Sequence, residues 1–141
     1  MNASSSACFV SLGGEMFALE GSHVSQIVEV GDLTPVPRSS KDLLGVFAAR
    51  NLIVPLLDAR GLLELPNDTT RADLAALLDF RGEQLGLRVD GVHGFVPELQ
   101  EVQADPASPF APKQCRYGDN NARILDLSTL LSVLTERVGL S

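Results

Sequence analysis

The sequence predicts an all-β protein built from two small β-barrels, and three observations support this prediction. Short apolar runs separated by glycine-containing turns recur along the chain, which is typical of antiparallel strands. The order of these runs and turns repeats in the second half, which indicates an internal duplication. Only the last segment, residues 125–138, has apolar side chains at helical spacing over more than two turns.

The first half begins with a predicted hairpin. Residues 8–12 and 16–19 are apolar runs on either side of Gly13-Gly14, and a glycine pair between two such runs is a hairpin signal. The segment 22–30 fits either a helical turn or a further strand. Residues 33–37 are predicted to be extended, because each of the two prolines there pushes the preceding residue out of the helical region.

A second hairpin is predicted over residues 45–58, with its turn at Arg50-Asn51. A short helix is expected over residues 59–65. In the second half, residues 97–112 contain four prolines and are predicted to form an irregular or extended excursion on the surface. The apolar stripe of residues 125–138 predicts a C-terminal helix that packs on the core.

The duplication is visible in two separate alignments with one offset. Segment 12–19 aligns with segment 80–87, and segment 54–58 aligns with segment 122–126, so that both matches lie 68 residues apart. The halves, about 8–68 and 74–134, are each near the size at which a core becomes marginal. We therefore expect one domain over the whole chain, 1–141, in which the two units pack together or exchange strands.

Composition and charge exclude several classes of function. The chain has 141 residues, 45% of them hydrophobic, and a formal net charge of −7, with a pI of about 4.7. Such a charge repels phosphate backbones and anionic lipid surfaces, so nucleic acid is not an expected partner. The sequence offers neither a run of about 20 apolar residues nor a signal peptide, which predicts a cytoplasmic protein without direct membrane insertion.

Catalytic and cofactor motifs are not found. His23 and His93 have no nucleophile motif or metal-ligand spacing around them, and they are interpreted as polar residues on exposed strand faces. Asp58 and Asp126 each follow an apolar strand at equivalent places of the repeat, which predicts helix capping rather than a catalytic pair. The two cysteines lie far apart in sequence and predict semi-buried thiols without chemistry of their own. We expect no enzyme activity, no cofactor and no metal.

Arg50 leaves two interpretations open. It interrupts a pair of apolar strands at a turn, and no acidic residue adjoins it in the sequence. Most arginines at such positions are solvated turn residues, but a guanidinium on an aliphatic stem is also a common interface anchor.

Several motifs together resemble the CheW-like domain of bacterial chemotaxis, over about residues 8–134. The most specific part is the segment 33–58, whose spacing of prolines, Gly-Val, arginine and an apolar strand ending in aspartate follows the family pattern without a gap. The matching residues are Phe9, Leu12, Phe17, Leu19, Val24, Ile27, Leu33, Pro35, Pro37, Gly45, Val46, Arg50, Ile53, Val54, Pro55, Leu56, Leu57, Asp58, Leu85, Gly86, Leu87, Val89, Asp90 and Val92.

The resemblance implies a fold of two intertwined five-stranded SH3-like β-barrels with short helices and a C-terminal helix. It also implies a non-catalytic adaptor that couples the cytoplasmic tip of a methyl-accepting chemoreceptor to the regulatory domain of a CheA-type histidine kinase. The protein would be associated with the membrane only through receptor arrays. The partner-binding residues that the resemblance implies are Gln26, Ile27, Gly45, Val46, Arg50, Asn51, Val89, Asp90 and Val92.

Two alternatives accompany this expectation. The first is a one-sided accessory protein that binds one partner and serves array localisation or a pilus-type chemosensory system; the second is a small-molecule binder that uses the cleft between the barrels. Where the family usually has a glutamate before its isoleucine, this chain has Gln26, so the resemblance predicts at most a neutral hydrogen bond between Gln26 and Arg50.

Overall fold

A computed structural model of the chain describes residues 6–37, 40–66, 73–99, 101–104 and 109–139. Within these residues it contains eleven β-strands and one α-helix. Their bounds are β1 Ala7–Leu12, β2 Glu15–Glu20, β3 Val24–Glu29, β4 Leu43–Ala49, β5 Leu52–Leu57, β6 Leu74–Phe80, β7 Glu83–Val89, β8 Gly91–Val96, β9 Glu101–Ala104, β10 Lys113–Tyr117, β11 Asn120–Ile124 and α1 Leu127–Arg137.

The strands form two sheets that exchange hairpins between the sequence halves. The first barrel has the strand order β3-β6-β7-β5-β4, and the second has the order β8-β1-β2-β11-β10-β9. The hairpin β1–β2 from the start of the chain therefore lies in the second barrel, while β6–β7 lies in the first. This arrangement confirms the expected all-β architecture of two intertwined barrels. The sixth strand of the second sheet, β9, corresponds to an isolated bridge between Thr34 and Val46 in the first.

The duplication predicted from the sequence is also present in the strand register. In the first barrel, β5 runs parallel to β7 with Leu56 opposite Gly86. In the second barrel, β11 runs parallel to β2 with Ile124 opposite Ala18. Each residue of one pair lies 68 positions from a residue of the other. The two barrels are thus related by pseudo-symmetry, and equivalent positions can be compared directly.

The exchanged hairpins carry residues that are buried on both faces. Along β1, Cys8 and Val10 belong to the large core between the barrels, whereas Ala7 and Phe9 belong to the core of the second barrel. Because successive side chains of a strand point to opposite faces, such a strand is apolar throughout. The hairpin β6–β7 has the same property in the first barrel. Burying both faces of these hairpins holds the two barrels together as one unit.

The turn at Arg50-Asn51 has the geometry that a two-residue hairpin requires. Both residues have positive φ, 53° for Arg50 and 65° for Asn51, in the left-handed region. Turns with two such residues have the twist of the strands that they join. The equivalent turn of the second barrel places Gly118 at φ 62°.

Three predictions from the sequence are refined by the structure. The undecided segment 22–30 contains strand β3, paired to β6. Residues 59–65 form hydrogen-bonded turns rather than a helix, because Glu64 takes a φ of 56° and the amide of Leu65 donates to the carbonyl of Arg60. Of the excursion 97–112, the described part contains β9; residues 100 and 105–108 lie outside the described residues.

The C-terminal helix α1 packs on the core between the barrels, as predicted. Its buried residues include Leu127, Leu130, Leu131 and Leu134. The predicted cap is confirmed, because a carboxylate oxygen of Asp126 accepts a hydrogen bond from the amide of Thr129. Asp58 likewise accepts a hydrogen bond of 3.0 Å from the amide of Arg60, and it also forms a buried ion pair with the Arg60 side chain, with 2.9 Å between Oδ2 and Nη2.

Candidate functional site

Strand β3 turns two apolar side chains toward the core between the barrels. It pairs with β6 so that Val24 lies opposite Leu78 and Ile27 opposite Ala76. Directly paired residues of an antiparallel sheet share a face. Leu78 and Ala76 belong to the core between the barrels, and both Val24 and Ile27 pack against that core while remaining partly exposed. Ile27 thus lies at the margin of the junction between the barrels.

Strand β8 presents apolar side chains in the pseudo-equivalent position. Its pairing with β1 sets Val92 opposite Val10 and Phe95 opposite Cys8. Val10 and Cys8 face the core between the barrels. Yet Val92 is 38% exposed and Phe95 is 63% exposed. These two side chains therefore extend the face that borders the junction, but they are not covered within the described part of the chain.

Arg50 reaches from its turn to strand β3. Its Nη1 atom donates a hydrogen bond of 2.6 Å to the hydroxyl of Ser25, and Nε2 of Gln84 lies 3.3 Å from the same oxygen. Ser25 precedes Gln26 in a bulge of β3, where the register to β6 shifts. The expected hydrogen bond between Arg50 and Gln26 is not among the contacts of the described residues. Arg50 instead donates to Ser25, a residue that the sequence analysis does not identify.

The name interbarrel surface is used for two segments that border the core between the barrels. They are Ser25, Gln26 and Ile27 of β3 with Arg50, and Val92 and Phe95 of β8. The interbarrel surface combines partly exposed apolar side chains with one guanidinium and one carboxamide. Protein partners typically bind such surfaces through buried apolar and aromatic side chains, with arginine as a frequent anchor. Asn51, next to Arg50 in the turn, is exposed and belongs to the same end of β4.

Gly45 and Val46 lie in strand β4 of the first barrel and contact the extended segment around Thr34. A Cβ atom on Gly45 would lie 2.5 Å from the carbonyl oxygen of Thr34, and its φ of 150° is unfavourable for other residues. The amide of Val46 donates to that same carbonyl oxygen at 2.8 Å. Gly45 is buried and Val46 is half-buried. This pair fixes the extended segment around Thr34 against β4, and a partner role for it stays a prediction.

Val89 and Asp90 stand at the end of β7. Val89 is 2% exposed and belongs to the core between the barrels, so its side chain lies beneath the protein surface. The Asp90 carboxylate accepts a hydrogen bond of 2.8 Å from the amide of Gly13 and lies 3.4 Å from Nη2 of buried Arg88. These contacts tie the β1–β2 turn to the end of β7. Their part in partner binding likewise stays a prediction.

Two site residues were missed by sequence reasoning, Ser25 and Phe95. An isolated serine carries no pattern that predicts a side-chain contact with a turn. Phe95 could have been found, because the repeat aligns it with Ile27, which the resemblance had already selected.

The described residues contain no group of three or more His, Cys, Asp or Glu side chains that could hold a metal ion. Neither cysteine forms a disulfide, and both are buried. Burial raises the pKa of the Cys8 thiol from 9.0 to about 11. In the described part, the helix is too short to cross a membrane.

Comparison with known proteins decides the family. The model of the CheW-like domain matches residues 6–134, which is nearly the whole chain. The chain belongs to the CheW-like domain family. Proteins of this family are non-catalytic scaffolds of chemotaxis, which agrees with the expected absence of a catalytic centre. The chain is thus a chemotaxis scaffold, and no enzyme.

Relatives and a solved structure support this membership. The chain is 24% identical to the chemotaxis protein CheW of Thermotoga maritima over 131 residues, which cover 89% of this chain and 86% of the relative. It is 25% identical to the chemotaxis protein CheW of Treponema pallidum over 133 residues, covering 86% and 78%. The crystal structure of the scaffolding protein TtCheW from Thermoanaerobacter tengcongensis has the same fold, with a TM-score of 0.78, 20% identity and coverage of 91% and 92%.

Proposed function

We propose that this CheW-like protein couples the cytoplasmic tip of a chemoreceptor to the regulatory domain of a CheA-type histidine kinase. The observation that carries the proposal is the exposed apolar stripe of Val92 and Phe95 on β8, with partly exposed Ile27 at the pseudo-equivalent place on β3, where Arg50 donates to Ser25. Membership of a chemotaxis scaffold family supports it. The protein would work in the cytoplasm and reach the membrane only through receptor arrays.

The stripe suits a helical receptor tip for physical reasons. Apolar side chains that repeat along one face of a helix bind a groove with apolar walls, and a few polar anchors set the register. Phe95 and Val92 supply apolar contact, while the Arg50 guanidinium offers a charged donor at the edge. Burying the exposed part of these side chains on binding would release water and stabilise the complex.

The guanidinium of Arg50 is oriented for such a contact by a hydrogen bond within the protein. Its hydrogen bond to Ser25 orients the guanidinium over β3 and leaves other N–H groups for a partner, because guanidinium has five donors. Gly45, Val46, Val89 and Asp90 would act as supports that hold the turn, β4 and β7 in place. Gln26 and Asn51 add neutral polar groups to the rim, both exposed.

The experiment that tests the proposal is titration calorimetry with two probes from the same genome. One probe is the regulatory domain of a CheA-type kinase, and the other is a receptor-tip fragment. Binding of both, with the receptor fragment weakened by Phe95→Ser, supports the coupling function. Binding of one probe alone supports the one-sided accessory function, and binding of neither by the folded protein overturns the proposal.

A further inference from the structure

A small pocket opens on the second barrel beside the start of α1, and its described lining shares no residue with the interbarrel surface. The volume of the pocket is about 240 Å³, which is below the usual range for drug-sized ligands and suits a smaller compound. The described lining includes the apolar residues Leu99, Ile124 and Leu125 and the charged residues Glu20, Lys113 and Asp126.

The two carboxylates of the pocket belong to neighbouring chain segments. β11 runs parallel to β2 with Ile124 opposite Ala18, and the amide of Leu125 continues this pairing by donating to the carbonyl oxygen of Ala18. Glu20 and Asp126 each follow the paired residues by two positions, so the parallel register brings them side by side. Because the described lining adds only one exposed lysine to these two carboxylates, the pocket has a net negative charge.

Glu20 is half-buried at the last position of β2. It lies opposite Ala7, and directly paired residues of an antiparallel sheet share a face. Ala7 belongs to the core of the second barrel, so the Glu20 side chain lies on the core side of the sheet. Within the residues that the structure describes, its carboxylate has no ion pair and no side-chain hydrogen bond. A carboxylate that is partly withdrawn from water is stabilised by a cation.

The repeat shows which kind of group occupies the place of Glu20 in the first barrel. Glu20 aligns with Arg88 at the offset of 68 residues. Arg88 is 2% exposed and lies opposite Ala75, which belongs to the core of the first barrel. The first barrel therefore buries a guanidinium of its own where the second barrel has a carboxylate.

The second carboxylate of the pocket differs from its repeat counterpart in the same sense. Asp126 aligns with Asp58, which lies 2.9 Å from the buried guanidinium of Arg60. The residue that aligns with Arg60 is Ser128, which is exposed and uncharged. Asp126 accepts two hydrogen bonds from Thr129, and its oxygens retain lone pairs for a further donor. The second barrel thus supplies no guanidinium at either aligned position.

We infer that this pocket binds a small organic cation, an ammonium or guanidinium group on a short aliphatic chain. The charged group lies between the carboxylates of Glu20 and Asp126, where charge-assisted hydrogen bonds are strong, and the chain contacts the apolar walls. The cation is either a free compound or the side chain of a lysine or arginine on a partner. This site is separate from the interbarrel surface, and the inference goes beyond the coupling function.

Chemical-shift titration of the isotope-labelled protein tests the site, with n-butylguanidinium and n-butylammonium as the probes. Both probes should cause saturable shifts at amides of the pocket, including those of Leu125 and Asp126. n-Butanol has the same chain without the charge and should bind at least about tenfold more weakly, because it cannot pair with the carboxylates. The ammonium ion has the charge without the chain and should also bind more weakly, since it makes no apolar contact.

Substitutions separate the charge of the pocket from its shape. Glu20→Gln preserves the size of the side chain and should weaken binding of both probes at least about tenfold. Glu20→Arg copies the first barrel and should abolish binding. If a Glu20 variant loses its cooperative thermal transition, Asp126→Asn provides the same test at the other carboxylate, because asparagine also caps helices. Glu29→Gln removes an equal charge from an exposed position of the first barrel and should leave the affinity unchanged.

A second titration distinguishes the two sources of the cation. The probe is added to protein that is first saturated with the kinase regulatory domain, and then to protein saturated with the receptor-tip fragment. Unchanged affinity for the probe supports a free compound as the ligand. Competition supports a lysine or arginine side chain of that partner.

The outcomes for the cation site are independent of those for the coupling function. Absence of saturable shifts in the folded wild type, or wild-type affinity in both Glu20→Gln and Asp126→Asn, overturns the inference and leaves the coupling function standing. Equal affinity for n-butanol also overturns it, because the ligand would then not be recognised by its charge. If the folded protein binds neither the kinase domain nor the receptor fragment, the coupling function is overturned, while the probe titration still decides the cation site.

Discussion

The hydroxyl of Tyr117 donates a hydrogen bond of 2.8 Å to the carbonyl oxygen of His93, and this contact has a counterpart in the other barrel. There, Arg50 donates to the hydroxyl of Ser25, which the repeat aligns with His93. In both barrels, a side chain at the end of a hairpin holds the strand that borders the junction. The repeat aligns Tyr117 with Ala49, so the two donors stand one residue apart in their hairpins, although the residues that they contact are equivalent.

The contact of the second barrel depends on a glycine. Gly94 has a φ of 154°, and a Cβ atom there would lie 2.7 Å from the Tyr117 hydroxyl. We expect Gly94→Ala to destabilise the fold by about 1–3 kcal/mol, since it combines backbone strain with displacement of the tyrosine. Urea unfolding measures the change. Gly31→Ala is the control, because its Cβ would meet nothing within 4 Å; equal stability of both variants would contradict the role given to Tyr117.

The helix cap predicted from the sequence gives a second test. Asp126 accepts one hydrogen bond from the amide of Thr129, at 3.2 Å, and one from its hydroxyl, at 2.8 Å. We expect Asp126→Ala to lower the free energy of unfolding by about 1 kcal/mol, because a free amide is left at the helix start. Asp126→Asn should retain most of the stability. If the alanine variant unfolds at the wild-type urea concentration, the cap contributes nothing.

A buried carboxylate joins the end of α1 to the first barrel. Oδ2 of Asp42 lies 3.1 Å from Nε of Arg137 and accepts a further hydrogen bond from Ser40. The Asp42 side chain is 3% exposed, so it depends on these partners. We expect Arg137→Gln to destabilise the fold by about 1–3 kcal/mol and to raise hydrogen exchange in the last turn of α1.

A neighbouring variant controls for the loss of a charged side chain in the same turn. Glu136→Gln alters an exposed residue in the same turn and should change stability by less than about 0.5 kcal/mol. If Arg137→Gln also leaves the free energy of unfolding unchanged, water replaces the guanidinium as the partner of Asp42. The ion pair would then not contribute to holding the end of α1 against the first barrel.

The buried Cys8 thiol predicts a fall in stability at alkaline pH. Burial raises its pKa from 9.0 to about 11, so the folded state keeps the proton while the unfolded state releases it. A raised pKa stabilises the folded state fully below pH 9.0, and this contribution is lost as the pH rises toward about 11. The difference in unfolding free energy between wild type and Cys8→Ala, measured from pH 8 to 11, isolates this effect from other groups.

Chemical labelling gives an independent readout for the same thiol. Thiolate is the reactive form, so native Cys8 should react with a thiol reagent at neutral pH only through opening of the fold. Labelling at the rate of a free thiol, or parallel stability curves for the two proteins across this pH range, would contradict the burial of Cys8 as the cause.

The sequence predicted the hairpins and the repeat because these depend on local signals. Glycine turns and alternating apolar runs predict the strands, and an offset of 68 residues aligns Leu56 with Ile124, which lie at equivalent places of the two sheets. The residue pattern alone does not decide whether the barrels exchange hairpins, and only the family resemblance implies the exchange. The exchange depends on which sheet includes β1. The apolar pattern of β1 cannot decide this, because both faces of the strand are apolar.

The functional surface was less predictable than the fold. The family resemblance selected Ile27, Val92 and Arg50, whose exposure fits a surface role, but it also selected Val89, which is buried. A family motif shows which residue types recur at a position. It does not show whether a residue contacts a partner or stabilises the fold beneath the surface. Ser25 could not be found at all, since its contact with Arg50 joins positions 25 residues apart across the barrel.

Arg50→Ala tests the interbarrel surface at the residue that resemblance and geometry both select. The guanidinium is exposed and hydrogen-bonds to exposed Ser25, so its loss should leave the free energy of unfolding within about 0.5 kcal/mol of wild type. Binding to the receptor-tip fragment should weaken by about 1–3 kcal/mol, because arginine is a frequent interface anchor. Arg116→Ala, an exposed arginine of the second barrel, is the matched control. Wild-type affinity of Arg50→Ala for both probes would remove Arg50 from the site, and a large fall in melting temperature would make it a structural residue.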